Sequence, residues 1–306
     1  MKIETVALLG AGGIGSYFIW GLSEALGDRF CVVADGERAE RLRSNGMTIN
    51  GQHFKLNVKS PEEAAGCDLL LVAVKYYSLQ DALTTIQRIV APHTTVVSLL
   101  NGVDSEEKIA AAIGDEHMLY SMIRFSVQRK GQSTFFDPDK AEGLLIGEKH
   151  TVEKTPRVAA LESLFAGTQI RCKAVPNIEE EQWRKLMINV SGNLPQAIFG
   201  VGYGAYFDSE HLAAIRIHLQ QEVKHVAEAL GIVLVLPDPK KAVFAPATRF
   251  STLQDLDNKR HTEVDMLLGT LLEKAREHNI WVPYAEYTYH AIKVLEEKND
   301  GKFDYA

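Results

Sequence analysis

Lys185, Asn189 and Asn193 recur at four-residue intervals within residues 181–193 (EQWRKLMINVSGN). On a helix, that spacing places the three side chains within about 80° of one another. The rest of the stretch is largely apolar, with Trp183, Leu186, Met187, Ile188 and Val190. Asparagine is a poor helix former and is seldom placed twice in such a segment without a task. An ammonium group flanked by two amides makes a proton donor with hydrogen-bonding groups on either side. The plainer alternative is a solvated polar stripe, which the apolar surface of this helix disfavours. Gly192 also weakens the helix and leaves room for a close approach.

A second polar cluster runs from 250 to 265 (FSTLQDLDNKRHTEVD). Ser251 is placed to cap a helix beginning near Thr252. Glu263 reads as mid-helix beside Val264, Met266, Leu267 and Leu268. A carboxylate there needs a partner, and Lys185 is the first candidate; a surface ion pair with Lys259 or Arg260 is the alternative. His261 reads as a surface residue.

A third motif lies at the amino end. Gly10, Ala11, Gly12, Gly13, Ile14 and Gly15 match G-x-G-x-x-G. The motif is weak alone, but a buried apolar run (residues 6–9) precedes it and a helical stretch (13–27) follows. Gly10 would permit the tight turn, Gly12 the approach of a pyrophosphate and Gly15 close helix–strand packing. The helix N-terminus then offers free N–H groups to phosphates. The pattern predicts dinucleotide binding. Asp35 lies twenty residues past Gly15. There an acidic side chain accepts from both ribose hydroxyls and repels a 2′-phosphate, which favours NAD(H). Arg38 pulls the preference the other way, and Asp35 also reads as a solvated turn residue.

The elements that must position these groups fall into two regimes. Short apolar runs at 6–9, 31–34, 69–74 and 95–100 alternate with helical stretches at 13–27, 79–90 and 106–113. That alternation predicts a parallel sheet with right-handed crossovers. Lys75 and Asn101 directly follow the third and fourth runs. Ligands of such sheets bind beyond the carboxyl ends of the strands, so both are candidates to touch cofactor or substrate. The alternatives are an ordinary strand-end lysine and an Asn-Gly turn. Residues 118–146 read as strand-rich, with turns at 131 and 137–138, and extend the sheet in an antiparallel sense. A helix at 155–165 and a strand at 168–172 close this half. Beyond 177 the pattern is helical, at 178–198, 208–230, 253–278 and 283–297. Two domains are expected, 1–177 and 178–306, with a cleft between them.

Composition narrows the class. Of the residues, 46% are hydrophobic and 24% charged, as in a soluble globular protein. The net charge of −7 argues against nucleic acid or an anionic membrane surface as partner. Cys31, Cys67 and Cys172 are too scattered for a disulfide framework or a zinc site. They read as buried thiols in a reducing cytoplasm. No apolar run approaches a membrane span, and no signal peptide is read at the start. No His/Asp/Glu set has ligand spacing, so no metal is expected.

Together these pieces resemble the ketopantoate reductase (2-dehydropantoate 2-reductase) family over essentially the whole chain. The resemblance rests on the glycine loop, Val74-Lys75, the 100–103 segment (LNGV), Trp183 through Asn193, the 251–256 segment (STLQDL) and the 260–265 segment (RHTEVD). It implies an α/β Rossmann-type N-terminal domain and an all-helical C-terminal domain like that of 6-phosphogluconate dehydrogenase, serving substrate binding and dimerisation. It implies NADP(H)-dependent reduction of ketopantoate to pantoate, on the route to pantothenate and coenzyme A. By analogy Lys185 is the catalytic lysine, Asn189 and Asn193 hold the substrate hydroxyl, and Ser251 meets the substrate carboxylate. Glu263 organises the site, and Lys75 and Asn101 line cofactor and substrate.

Two departures stand out. Asp35 occupies the position where family members commonly carry an arginine for the 2′-phosphate, and Thr248 stands where some carry a substrate-binding asparagine. Burial would draw the Lys185 pKa toward working pH, and Glu263 would oppose that shift while orienting the ammonium. Two further readings are a paralogous reductase of another small keto acid or imine, and a non-catalytic dinucleotide sensor. Helical second domains of this type often pair, so a homodimer is expected.

Overall fold

The structure, a computed structural model, describes residues 2–125, 127–130, 133–237 and 244–305. The chain divides into two compact units, Met1–Glu179 and Glu180–Ala306. Among the described residues, no helix is long and apolar enough to cross a membrane.

The N-terminal unit contains strands β1 (Val6–Leu9), β2 (Phe30–Val33), β3 (Met47–Ile49), β4 (Gln52–Phe54), β5 (Val58–Lys59), β6 (Leu69–Val72), β7 (Thr95–Ser98), β8 (Met118–Arg124), β9 (Gln128–Lys130), β10 (Ser133–Phe135), β11 (Gly143–Gly147) and β12 (Cys172–Ala174). Eight form one sheet in the order β12-β11-β8-β7-β6-β1-β2-β5. β1, β2, β5, β6, β7 and β8 run parallel, and β11 joins β8 antiparallel, as the sequence of 118–146 predicted. The central strands read as unbroken apolar runs because both faces are covered. Val6 and Leu8 face one core, Ala7 and Leu9 the other. β4-β3-β10-β9 form a second sheet. Gly131, read as a turn, lies outside the described residues.

Helices α1 (Gly13–Leu26), α2 (Gly36–Asn45), α3 (Leu79–Ile89), α4 (Ser105–Ile113) and α5 (Pro156–Ala166) complete this unit. The strand expected at 168–172 is displaced to β12. Thr168 closes the end of α5 through its N–H and hydroxyl, both donated to the Phe165 carbonyl, so 168–170 is spent on a turn. β9 and β10 fall in the 118–146 stretch read as strand-rich, but they join the second sheet and do not extend the first. β3, β4 and α2 were not read from the sequence, because their segments are too short or too polar to show a period. All three cysteines are free, and burial pushes their thiols up, to about 11 for Cys31 and about 12 for Cys67 and Cys172.

α6 (Ile178–Ile188) begins at the boundary and leads into the C-terminal unit. There follow a π-helical turn (Asn189–Asn193), α7 (Leu194–Phe199), α8 (Ala205–Asp208), α9 (Glu210–Ala229), α10 (Ser251–Asp257), a second π-helical turn (Asp265–Gly269), α11 (Thr270–Glu277) and α12 (Pro283–Asn299). The continuous helix expected at 253–278 is therefore broken. Lys259 adopts a left-handed conformation (φ 52°), which ends α10. Thr262 then donates its N–H and its hydroxyl to Glu296 Oε1 of α12, both at 2.7 Å, pinning the break. Glu222 of α9 accepts from the N–H groups of Tyr284 and Ala285 at 2.9 and 2.7 Å, taking the place of a cap on α12.

Candidate active site

The glycine turn is built as its spacing requires. Gly10 has φ +112°, and a Cβ there would stand 2.5 Å from the Ala73 carbonyl oxygen. A Cβ on Gly15 would lie 2.0 Å from the Gly10 carbonyl oxygen, so the helix can approach β1 only without one. Gly13 lies under Val127, whose Cγ1 would be 2.8 Å from an added Cβ. Gly12 differs: an added Cβ would meet nothing within 4 Å. Gly12 is also the N-cap of α1, with no side-chain cap and no acidic residue in the first turn. The first N–H groups of this fourteen-residue helix thus meet no side-chain cap and no carboxylate from their own turn. Phosphate oxygens suit such a turn.

Beside it is a cleft lined by Gly10, Ala34, Asp35, Arg38 and Val74 among others, where β1, β2 and β6 end. Asp35 is exposed and is the N-cap of α2, its carboxylate accepting from the Gly36 N–H at 3.0 Å. Asp35 and Arg38 therefore both line this cleft. Lys75 is exposed and starts the short turn after β6. Asn101 is half-buried just past β7. Both stand at carboxyl ends of central strands, as read from the sequence.

In the C-terminal unit, Lys185 is half-buried in the last turn of α6. Asn189 and Asn193 open and close the first π turn, and Asn193 is only 8% exposed. An α-helix drifts by about 40° every four residues. A π turn, bonded i→i+5, rotates less per residue and takes back that drift. The outcome is contact: Asn193 Nδ2 donates to Asn189 Oδ1 at 3.4 Å. The sequence read a single regular helix here; the widened turn is the correction, and π turns of this kind are frequent at functional sites. Nothing crowds the side-chain face of Gly192, since a Cβ there would meet nothing within 4 Å.

The two π turns pack on each other. Glu263 stands just ahead of the second, in the bend and not mid-helix as expected, and its carbonyl accepts from the Leu267 N–H. Arg260 pairs with Asp255 (2.8 Å), and His261 with Asp300 at the surface (3.0 Å). Ser251 is exposed and begins α10; Phe250 holds the cap position without a side-chain bond, so Ser251 is not the cap.

The structure adds residues that the sequence did not reveal. Gln196, fully buried, donates to the Thr248 carbonyl (2.9 Å) and accepts from the Phe250 N–H (2.7 Å). It thereby fixes the strand of chain that delivers Ser251. Tyr206 donates its hydroxyl to the Gly192 carbonyl (2.6 Å) and accepts from the Gln196 N–H (3.1 Å), joining this clamp to the π turn. Gln196 and Phe250 are 54 positions apart, so no local pattern announces the pair.

Fold and residues together define a reductase-like architecture, a glycine-turn α/β unit followed by a helical unit carrying an ammonium and two amides. Residues 6–147 match the family model described as ketopantoate reductase PanE/ApbA, and residues 177–296 match its C-terminal counterpart. The chain belongs to the ketopantoate reductase family and is an oxidoreductase. It is 26% identical over 303 residues to the 2-dehydropantoate 2-reductase of Pyrococcus horikoshii, covering 97% of this chain and 99% of the relative. It is equally 26% identical to the uncharacterised oxidoreductase YkpB of Bacillus subtilis, covering 94% and 98%. Among solved structures it is similar to a PanE/ApbA family ketopantoate reductase from Ralstonia eutropha, with a TM-score of 0.81, 24% identity and coverage of 97% and 99%. D-mandelate dehydrogenase, solved with NADH and anilino(oxo)acetate, has a TM-score of 0.82 at 20% identity, with coverage of 97% and 99%. At these identities the structural likeness establishes the fold alone.

Proposed function

We propose that this chain reduces the keto group of a small 2-keto acid with a nicotinamide dinucleotide, and that its substrate is 2-dehydropantoate, placing it on the route to pantothenate and coenzyme A. The observation that carries this reading is the half-buried Lys185 on the helix whose π turn brings the Asn189 and Asn193 amides into contact. Family membership supports it. The N-terminal unit, Met1–Glu179, is the cofactor domain in this proposal, and the C-terminal unit binds substrate and self-associates.

The open face of Gly12 and the uncapped start of α1 fit the pyrophosphate of a dinucleotide. Gly10 to Gly15 would hold it, with Asp35 at the adenine-side ribose and Lys75 and Asn101 toward the nicotinamide. When bound, the dinucleotide supplies the hydride. Lys185 donates a hydrogen bond, then a proton, to the ketone oxygen as that oxygen gains charge. Asn189 and Asn193 hold the substrate hydroxyl, and Ser251 binds its carboxylate, fixing the carbonyl for attack. Glu263 orients the Lys185 ammonium. Asp35 on the cleft wall supports use of NADH beside NADPH, with Arg38 supplying the charge a 2′-phosphate needs.

A second reading, reduction of a different 2-keto acid, is favoured by Thr248. Its backbone is held by Gln196 and the Tyr203 N–H, and at that fixed place the chain offers a threonine hydroxyl, with one donor, where an asparagine would offer an amide with two donors and a carbonyl. A homodimer is proposed as well; a Staphylococcus aureus ketopantoate reductase of 18% identity and TM-score 0.76 is described as dimeric. Steady-state reduction of ketopantoate and of an aromatic 2-keto acid, each with NADPH and NADH, tests the substrate and cofactor. Turnover of ketopantoate at least tenfold better than of the aromatic acid supports the first reading. The reverse selects the second, and tight dinucleotide binding without turnover of either acid replaces both with a sensor. Light scattering reads the oligomeric state.

A further inference from the structure

The loops that carry Lys75 and Asn101 are joined by three side chains to which no role has been given. Tyr76 directly follows Lys75, and Asp104 lies three residues beyond Asn101. Lys108 stands one turn into α4. The Tyr76 hydroxyl donates to Asp104 Oδ2 at 2.5 Å. The Lys108 ammonium donates both to that same oxygen and to the Tyr76 hydroxyl, and it sits 4.6 Å from the centre of the Tyr76 ring. Burial alone would lower the Lys108 pKa, but the bonds to Asp104 and Tyr76 outweigh it and the net shift is upward.

Two features make this arrangement more than a helix start. Asp104 occupies the N-cap position of α4, where an aspartate ordinarily accepts from the first-turn amides, yet its side chain makes no cap bond. It is only 4% exposed, and its second oxygen, Oδ1, is buried without a hydrogen-bond partner. A sequence selected only for stability would cap the helix and leave no bare carboxylate oxygen inside. The carboxylate is turned instead toward the neighbouring loop.

We infer that Tyr76, Asp104 and Lys108 are positioning residues that set the spacing between the loops bearing Lys75 and Asn101, and so the grip of both on one bound ligand. This rests on the reading that Lys75 and Asn101 touch that ligand. Tyr76 and Asp104 are 28 positions apart, so the tie spans two successive strand–loop connections of the sheet. It acts as a strap between them.

The test is a cycle of variants. Tyr76→Phe removes one hydroxyl and Asp104→Asn one charge; each is made in the parent chain and again in a Lys75→Ala/Asn101→Ala background. The readouts are kcat, KM for keto acid and for dinucleotide, and the thermal midpoint. In the parent, Tyr76→Phe should lower kcat/KM about tenfold, and in the double-alanine background less than about twofold, because nothing is left to position. Lys108→Arg should retain most of the parent activity. An equal loss in both backgrounds, or no loss in the parent, overturns the strap. If the double-alanine variant itself keeps parent activity, the underlying ligand-contact reading fails, and the strap with it. Should Asp104→Asn not fold, Tyr76→Phe alone decides.

Discussion

The glycine turn of the N-terminal unit and the π turn of the C-terminal unit each contain a conspicuous glycine, and the two could hardly be used more differently. Gly15 is indispensable sterically, since a methyl there would lie 2.0 Å from a backbone oxygen. Gly192 has empty space where its side chain would be. In the function proposed above, the backbone of the first region is the binding surface, and side chains must be kept out of its way. In the second, the proposed chemistry belongs to side chains, and the backbone is widened by a turn that brings two of them into contact. A ligand-binding backbone is therefore written as missing Cβ atoms, whereas a side-chain site is written as residue types whose alignment depends on helix geometry.

The contrast can be broken at several points. The largest expected effect is from Lys185→Ala, which should cut turnover by about 10²- to 10⁴-fold. Dinucleotide affinity by fluorescence titration should change less than about twofold, since the glycine turn is untouched; unchanged turnover would remove Lys185 from the mechanism. Next, Gly15→Ala should cost about 1–3 kcal/mol in urea unfolding and weaken dinucleotide binding. Gly192→Ala, by contrast, should be neutral or stabilise by up to about 1 kcal/mol. Equal costs at the two glycines would erase the distinction drawn here. Gln196→Leu leaves the Thr248 carbonyl and Phe250 N–H without their partner, at a cost of about 1–3 kcal/mol. It should raise keto-acid KM several-fold while leaving dinucleotide affinity alone, which a stability effect by itself would not do.

The smallest effects concern pH, and the two units differ in sign. Asp68 would have its pKa raised by burial, but bonds from the Glu4 and Thr5 N–H groups and the Thr5 hydroxyl outweigh this and hold it below 3.8. Its contribution to stability is present above that unfolded value and is lost as pH falls through the lower folded one. Glu222 is shifted the other way, burial holding its pKa above 4.5 despite the two amides of α12. Its contribution is complete below that value and is lost as pH rises through the higher folded one. Asp68→Asn should therefore flatten the acid limb of a denaturation-midpoint profile, and Glu222→Gln the limb just above pH 4.5. An unaltered profile in both variants would refute the assignment.

Much of this was legible in advance because it is local. Four apolar runs gave the central parallel strands, and the residues just beyond them, Asp35, Lys75 and Asn101, follow from where such strands end. The glycine positions could be assigned tasks one by one, and Gly10, Gly12 and Gly15 have the geometry those tasks need. The errors also have local causes. Ser251 sits in a helix-start pattern, but Phe250 holds the cap position. Residues 253–278 carry one continuous apolar period, yet Lys259 turns left-handed and Glu296, from a distant helix, fixes the break. The widened turn at 189–193 has no sequence period of its own, since a single extra residue in a turn leaves both flanking helices with their usual spacing.

The amino-acid sequence determined the order of strands and helices, the residue types available for chemistry and the places where a Cβ is forbidden, because each is set by interactions within a few residues. Only tertiary structure decided which polar groups meet. Gln196 reaches the chain before Ser251, Tyr206 reaches Gly192, and Asp104 forgoes its own helix for Tyr76. Those bonds join residues that are neighbours only after the apolar faces of separate elements have packed, and no spacing along the chain encodes which partner a buried hydrogen-bonding group will then find.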